Sequence, residues 1–496
     1  MHYHPALSSR RRFLKQSALL ASSALMAPGL AFAAPQPLRP AKPVRIRGRV
    51  RAGRRGVAGV AVTDGVSIVE TAGDGDFELM STTRQPFVYL SMPAGHAIPR
   101  NETGTARFYQ PIEADRKGEM RVLFDLVPHD VAANHAFLVL CDPQTEDTRD
   151  MGLFHDETVP DVQATVQALG DTPAFGVSCG DIMWDDLALY PEYERAVSRM
   201  GLPFFQVVGN HDLDFDGATD QASVRTFRRH FGPNYYSFDR GAVHYVVLDD
   251  VFWNYNTYFG YVGADQLAWL EADLARIEAG RTVVVFAHIP FQSTSDYRAG
   301  RSRPAPNHAI SNRAVLYRLL EPYQAHVVSG HTHETEHVFE GGLHEHIQGT
   351  ACGAWWTGPI CDDGTPAGYG VYEAQGEELR WRYKSTGHPD DHQIRLYQRG
   401  IDPTAPDEIV ANVWDWDPAW TVAWYEDGAR KGLMARRTGT DPLSERLHRG
   451  GHQPAPRPWV EPGPTNHLFY APVSPEAADV RVEATDRFGR VYSAVL

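Results

Sequence analysis

Six runs dominated by apolar residues, at 136–140, 174–177, 204–208, 245–248, 282–286 and 326–328, recur along the middle of this chain. Runs of this length with no polar alternation are what strands covered on both faces require. Segments of helical periodicity lie between several of them. Val162, Val166 and Leu169 share one helical face and are followed by Gly170, a residue suited to a helix C-terminus. Leu267, Leu270, Leu274 and Ile277 form a second apolar stripe. Alternating buried strands and amphipathic helices imply an α/β core.

Five of the runs end in residues that bind metals. The first leads into Asp142 and Gln144, the second into Gly180-Asp181, and the third into Gly209-Asn210-His211-Asp212. The fifth leads into Ala287-His288 and the sixth into Gly330-His331-Thr332-His333. In open α/β sheets the ligand site lies beyond the carboxyl ends of the strands. Convergence of these ends would assemble three imidazoles, two carboxylates and an amide. That set suits Mn, Fe or Zn ions. A pair of such ions ~3.5–4 Å apart can activate water and hold both oxygens of an in-line displacement. Gly209 and Gly330 are expected to permit tight turns where the chain meets the site.

The series Asp142-x-Gln144, Gly180-Asp181, Gly209-Asn210-His211-Asp212, Ala287-His288 and Gly330-His331-x-His333 resembles the calcineurin-like metallophosphoesterase superfamily. The flanks resemble its subgroup with a β-domain before the core and a β-sandwich after it, through residues 349–356 and 412–416. The resemblance implies an enzyme hydrolysing phosphoric ester bonds, mono- or diesters, with two divalent metal ions and a metal-activated hydroxide as nucleophile. It implies that Asp142 and His333 hold the first metal, that Asp181 bridges, and that Asn210, His288 and His331 hold the second. His211 would protonate the leaving oxygen or stabilise developing charge, and Asp212 would orient its imidazole. Gln144 stands where the family pattern has a histidine, so it is expected to ligate weakly or to bond a metal-bound water. Purple acid phosphatases carry a tyrosine three residues after the bridging aspartate. Trp184 stands there, so an iron–tyrosinate pair is not expected.

The expected architecture is therefore an α/β (α+β) metallophosphoesterase core, a β-sandwich with flanking helices and a dinuclear site at strand ends, between two small all-β domains. A chain of 496 residues is too long for one core. Short alternating segments separated by turn signals suggest an antiparallel β-domain over 44–128. The catalytic domain would span 134–390 and a C-terminal β-sandwich 393–496, with 438–464 as loop. Residues 34–43 are proline-rich and read as a linker.

Residues 1–33 hold Arg10, Arg11, Arg12 and Lys15 and no acid, then an apolar run ending in Ala31-Phe32-Ala33. This is the layout of an export signal, and the arginines before Phe13-Leu14-Lys15 resemble a twin-arginine signal. Passage through the twin-arginine machinery to the periplasm or the exterior is expected, with no membrane span in the mature chain. The net charge of −15 argues against long nucleic acids, and the small phosphoester substrate that the resemblance implies stays open. A non-catalytic envelope- or glycan-binding protein with a decayed site is the alternative, prompted by Gln144. Several features stay open: Asp185 and Asp186 as site or surface residues, Trp355 and Trp356 as substrate wall or core, and His344 and His346 as strand residues or site rim. The four cysteines, Cys141, Cys179, Cys352 and Cys361, read equally as thiols or bridges, and Cys352–Cys361 could close a short loop.

Overall fold

Strand Asn134–Leu140 shows how the core is built, because its alternate residues enter two different cores. Phe137 and Val139 point to one side and Leu138 and Leu140 to the other, and all four are fully buried. The two-residue period of a strand makes this unavoidable when both faces are covered. Thr282–Phe286 repeats the pattern, with Val284 and Phe286 on one side and Val283 and Val285 on the other.

The structure is a computed structural model that describes residues 41–129, 134–449 and 457–496. The export signal expected over 1–33 lies outside the described residues. All elements below belong to the unit Pro43–Leu496.

Two sheets face each other in the middle of this unit. The first runs Phe204–Val207, Ala174–Cys179, Asn134–Leu140, Gly368–Gln375, Glu378–Ser385, with its first three strands parallel and the last two antiparallel. The second runs Tyr236–Arg240, Val243–Val247, Thr282–Phe286, Gln324–Ser329, Leu343–Ile347, Glu336–Glu340, with parallel pairing among its four inner strands. Aromatic rings fill the space between the sheets. Phe137 stacks on Tyr372 at 4.7 Å between centroids, and Phe175 meets Tyr245 edge-on at 5.2 Å. Helices Val159–Ala168 and Tyr190–Arg199 cover the outer face of the first sheet, and Ala264–Leu274 and Arg313–Leu320 that of the second. The result is a four-layer α/β/β/α sandwich. Gly170 follows the first helix with φ of +60°, as a C-terminal glycine should. Ile277 lies beyond the end of helix Ala264–Leu274, so the second stripe outruns its helix.

Before the core, Pro43–Ala52 pairs antiparallel with Asp76–Thr82 but parallel with Glu119–Asp125. The expected antiparallel texture is thus broken by one long-range parallel pair. Alternation reveals which face is buried, not which strand lies alongside. After the core, two four-stranded sheets enclose Ile409, Ala411, Val422, Phe469, Val482 and Ala484. The stretch expected as loop from 438 holds the end of strand Ala435–Thr440 and then helix Pro442–His448. Asp441 accepts from the backbone N–H groups of Leu443 and Ser444, and Pro442 takes the first helical position, where its missing N–H costs nothing. All four cysteines are buried free thiols, so Cys352 and Cys361 form no bridge.

Candidate metal centre

The strand ends do converge. Asp142, Asp181, Asn210, His288 and His333 are all buried, and His331 is partly buried. His288 Nε2 lies 3.2 Å from Asp181 Oδ1, 3.1 Å from Asn210 Oδ1 and 3.2 Å from His331 Nδ1. His333 Nε2 lies 3.5 Å from Asp142 Oδ1. The backbone N–H of His331 donates to the Asp142 carboxylate at 3.0 Å, and that of His211 to Asp181 Oδ1 at 2.8 Å.

The three imidazoles share one device. Each spends one nitrogen on a backbone carbonyl, which can only accept: His288 Nδ1 on Cys179 at 3.1 Å, His331 Nε2 on Asn307 at 2.7 Å, His333 Nδ1 on Gly353 at 3.0 Å. The proton is therefore on the carbonyl side, and the other nitrogen of each ring faces the carboxylates. Carbonyl-anchored histidines are how proteins fix a ligand's tautomer. Around His288 Nε2 three acceptor atoms crowd together. A proton there serves one of them, whereas a cation serves all. Burial pushes the Asp142 carboxyl up to about 7 and the His333 imidazole down to about 4. A cation opposes the first shift and reinforces the second, holding the carboxylate ionised beside a neutral imidazole. The donor set fits divalent metals.

Six site residues, Asp142, Gln144, Asp181, Asp185, His331 and His333, have positive φ, between 38° and 69°. Such conformations cost about 1–3 kcal/mol each and concentrate where function over-determines the chain. The glycines act differently from expectation. Gly209 and Gly330 do not have positive φ; they are needed for close approach. A Cβ on Gly330 would sit 2.3 Å from Asp142 Oδ2, and one on Gly209 would sit 1.9 Å from the Asp181 nitrogen.

One sequence expectation is corrected in detail. Asp212 does not orient His211. Its carboxylate accepts from the N–H groups of Ile182, Met183 and Gly209 and from the Tyr190 hydroxyl, at 2.9–3.1 Å. It braces the two loops that present Asp181 and Asn210. Asp185 takes the orienting position, with Oδ1 2.7 Å from His211 Nδ1. Burial lowers the His211 pKa, but Asp181 and Asp185 more than offset it and raise the imidazole to about 9. Gln144 is buried in the site, with Nε2 3.2 Å from Asp181 Oδ2 and Oε1 without a hydrogen-bond partner. That free oxygen is available to a cation or a water.

Other contributors escaped the sequence reading. Asp250 accepts from the N–H groups of His288 and Ile289 and fixes that loop. It follows the run 245–248, the one run not read for a polar end. Asn307 meets His331 through its carbonyl, which any residue has. Trp355 stacks on His333 at 4.0 Å, while Trp356 is tied into the core through Phe154 and the Pro143 carbonyl. Trp184 meets His211 at 5.8 Å and Trp459 at 5.6 Å, and the Arg457 guanidinium lies over it at 4.6 Å. Half-exposed Trp459 completes an aromatic rim beside the site. Asp186 caps the short turn Leu187–Leu189 and touches none of the candidate ligands.

A four-layer sandwich with carboxylate, amide and imidazole donors at its strand ends defines a metallophosphoesterase core. Three family descriptions match successive parts of the chain: "N terminal of Calcineurin-like phosphoesterase" at 44–129, "Calcineurin-like phosphoesterase" at 137–335 and "C terminal of Calcineurin-like phosphoesterase" at 345–492. The chain belongs to the calcineurin-like phosphoesterases, hydrolases of phosphoric ester bonds. Among similar proteins, purple acid phosphatase 22 of Arabidopsis thaliana is 29% identical over 175 residues, 32% of this chain and 37% of that protein. The chain thus spans little more than a third of this plant relative. The human serine/threonine-protein phosphatase CPPED1 is 27% identical over 305 residues, 55% of this chain and 88% of that protein. Among solved structures, a dimetal phosphatase from Danio rerio is similar at 14% identity and a TM-score of 0.34, over 51% of this chain and 96% of that one. Purple acid phosphatase PPD1 from yellow lupin, Lupinus luteus, is similar at 13% identity and a TM-score of 0.38, over 69% and 67%.

Proposed function

We propose that this protein hydrolyses small phosphate mono- or diesters with two divalent metal ions, and that it works in the periplasm or outside the cell. The observation that carries the reading is the tautomer-locked trio of His288, His331 and His333 aimed at Asp181, Asn210 and Asp142. Asp142 and His333 would hold one ion, Asn210, His288 and His331 the other, and Asp181 both, with Gln144 Oε1 as an added oxygen donor at the first. Bound there, the ions would neutralise phosphate charge and acidify a water. With its pKa raised, His211 is doubly protonated: it donates Nδ1–H to Asp185, and its Nε2–H is the proton that would pass to the leaving oxygen, leaving the neutral ring. The rim of Trp184, Trp355 and Trp459 would exclude water and pack against the ester's organic group. Export is supported by the twin-arginine pattern before residue 33. Among the described residues no helix is long and apolar enough to cross a membrane.

The test is turnover of p-nitrophenyl phosphate and its bis ester by metal-stripped protein reloaded with Mn²⁺. Absence of metal-dependent hydrolysis on these and on a broad phosphoester panel would sink the proposal. Export is tested separately, by fractionating cells that express the full chain and an Arg11→Lys/Arg12→Lys variant. Equal export of both would argue against the twin-arginine route.

A further inference from the structure

Away from the strand ends, the face of the second sheet that should continue the apolar core turns into histidine. Across one row of paired residues the face reads Val284, His326, His344, Phe339, and across the next Phe286, Val328, His346, His337. These imidazoles lie between the two sheets, packed on the Trp381 indole at 4.6–6.1 Å between centroids. His344 and His346 are buried and His326 is partly exposed. None of the four belongs to the centre described above.

Their nitrogens are organised. His326 Nδ1 lies 3.0 Å from His346 Nε2, and one nitrogen from each of His326, His344 and His346 falls within 4.8 Å of the others. His337 Nε2 lies 3.0 Å from Asp415 Oδ1, and His337 Nδ1 lies 3.0 Å from His344 Nε2. This chain sets a tautomer. His337 donates its Nε2–H to the Asp415 carboxylate, so its Nδ1 accepts the Nε2–H of His344. His344 Nδ1 is then left with a lone pair. His346 Nδ1 is buried with no hydrogen-bond partner at all. A core that needed only volume would use apolar side chains, because each unpaired buried polar atom costs about 1–3 kcal/mol.

We propose that His326, His344 and His346 form a further metal site for one transition-metal ion such as Zn²⁺, with His337 and Asp415 as its outer support. Imidazole-only donors suit Zn²⁺, Cu²⁺ or Ni²⁺ rather than Mg²⁺ or Ca²⁺. Zn–N bonds of ~2.0–2.1 Å in tetrahedral geometry place donor nitrogens about 3.3 Å apart, within the spacing found here. Burial drives the His326 imidazole down to about 4 and those of His344 and His346 lower still, which keeps them in the neutral form that ligates. A neighbouring cation, Arg487, lies over the Trp381 ring at 5.0 Å, and its charge is met by Asp417 at 2.6 Å. Because Asp415 also accepts the Tyr383 N–H, an ion here would tie the sheet edge to the segment that enters the C-terminal sheets.

The test is cobalt binding by the full chain. In an Asp181→Asn/His331→Ala variant, which removes ligands of the strand-end centre, one Co²⁺ per chain should remain, with the intense visible bands of a tetrahedral site. Adding His346→Gln should abolish both the bands and the bound equivalent. Should His346→Gln fail to fold, His326→Gln at the partly exposed end serves instead. In the otherwise unmodified chain it should lower cobalt content by one equivalent and leave p-nitrophenyl phosphate turnover in place. An emptied-centre variant that binds no stoichiometric cobalt, or one that keeps its bands after His346→Gln or His326→Gln, overturns the proposal.

Discussion

Replacing Asp185 and Asp212 separately by asparagine distinguishes an orienting carboxylate from a bracing one. The amide introduced by Asp185→Asn would still accept the Nδ1–H of His211, so the ring keeps its orientation and loses only the partner's charge. A hydrogen bond to a charged group contributes about 1.5–3 kcal/mol. The Asp185 side chain is 43% exposed, so solvent screens it, and about 1 kcal/mol is the fair expectation. At about 1.4 kcal/mol per tenfold, kcat should fall roughly fivefold with little change in Tm or metal content. Asp212 is different. Its Oδ2 accepts from Ile182 and Gly209 and its Oδ1 from Met183 and Tyr190, so an amide nitrogen on either side meets two donors. Loss of a buried charged acceptor of this kind costs on the order of 3–5 kcal/mol. Tm should drop by roughly 6 °C or more, and metal content should fall with it, because Asp181 immediately precedes the braced segment. The assays are calorimetry, metal analysis and steady-state hydrolysis on the same preparations. If D212N kept its Tm and metals but turned over slowly, while D185N behaved as wild type, Asp212 would be the orienting group and this account would be wrong.

Three further outcomes are expected. Gly330→Ala forces a Cβ to within 2.3 Å of Asp142 Oδ2, so it should displace that carboxylate, cost about 1–3 kcal/mol and lower metal content and turnover together; an active, fully metallated variant would contradict the close-approach role. Chelation followed by reloading should raise Tm, since metal at a hundredfold excess over its Kd stabilises by about 2.7 kcal/mol, and a flat Mn²⁺ titration would count against a preformed site. His244, enclosed by Asp239 and Asp273 at 3.0 Å each, has its pKa raised to about 9, burial opposing and the two carboxylates prevailing. A folded pKa above the unfolded one stabilises fully below about 6.5 and loses that contribution as pH rises through about 9. Between pH 6 and 10 this group should release on the order of 3 kcal/mol, and His244→Gln should flatten that part of the Tm–pH profile.

What could be read in advance follows from which interactions are local. A ligand such as Asp181 or His288 directly continues a buried strand, so the run and its polar end announce it within a few contiguous letters. The same logic applies to Asp250 after 245–248, where the signal was present but the residue does its work through backbone N–H groups. Pairing across the sheet is not local. Nothing near Pro43–Ala52 reveals that Glu119–Asp125 lies parallel to it, and nothing near His211 reveals that a chain turning at positive φ brings Asp185, not its neighbour Asp212, to the ring. The histidines at 326, 337, 344 and 346 make the point most sharply. Along the chain each is a polar residue in an unremarkable strand. Only the register His326↔His344 and His337↔His346 puts four imidazoles on one buried face, and only the fold brings Asp415 from a later segment to set their protons. Chemistry carried by strand ends is therefore legible from sequence, whereas chemistry carried by a strand face depends on register and becomes visible only once the partners are known.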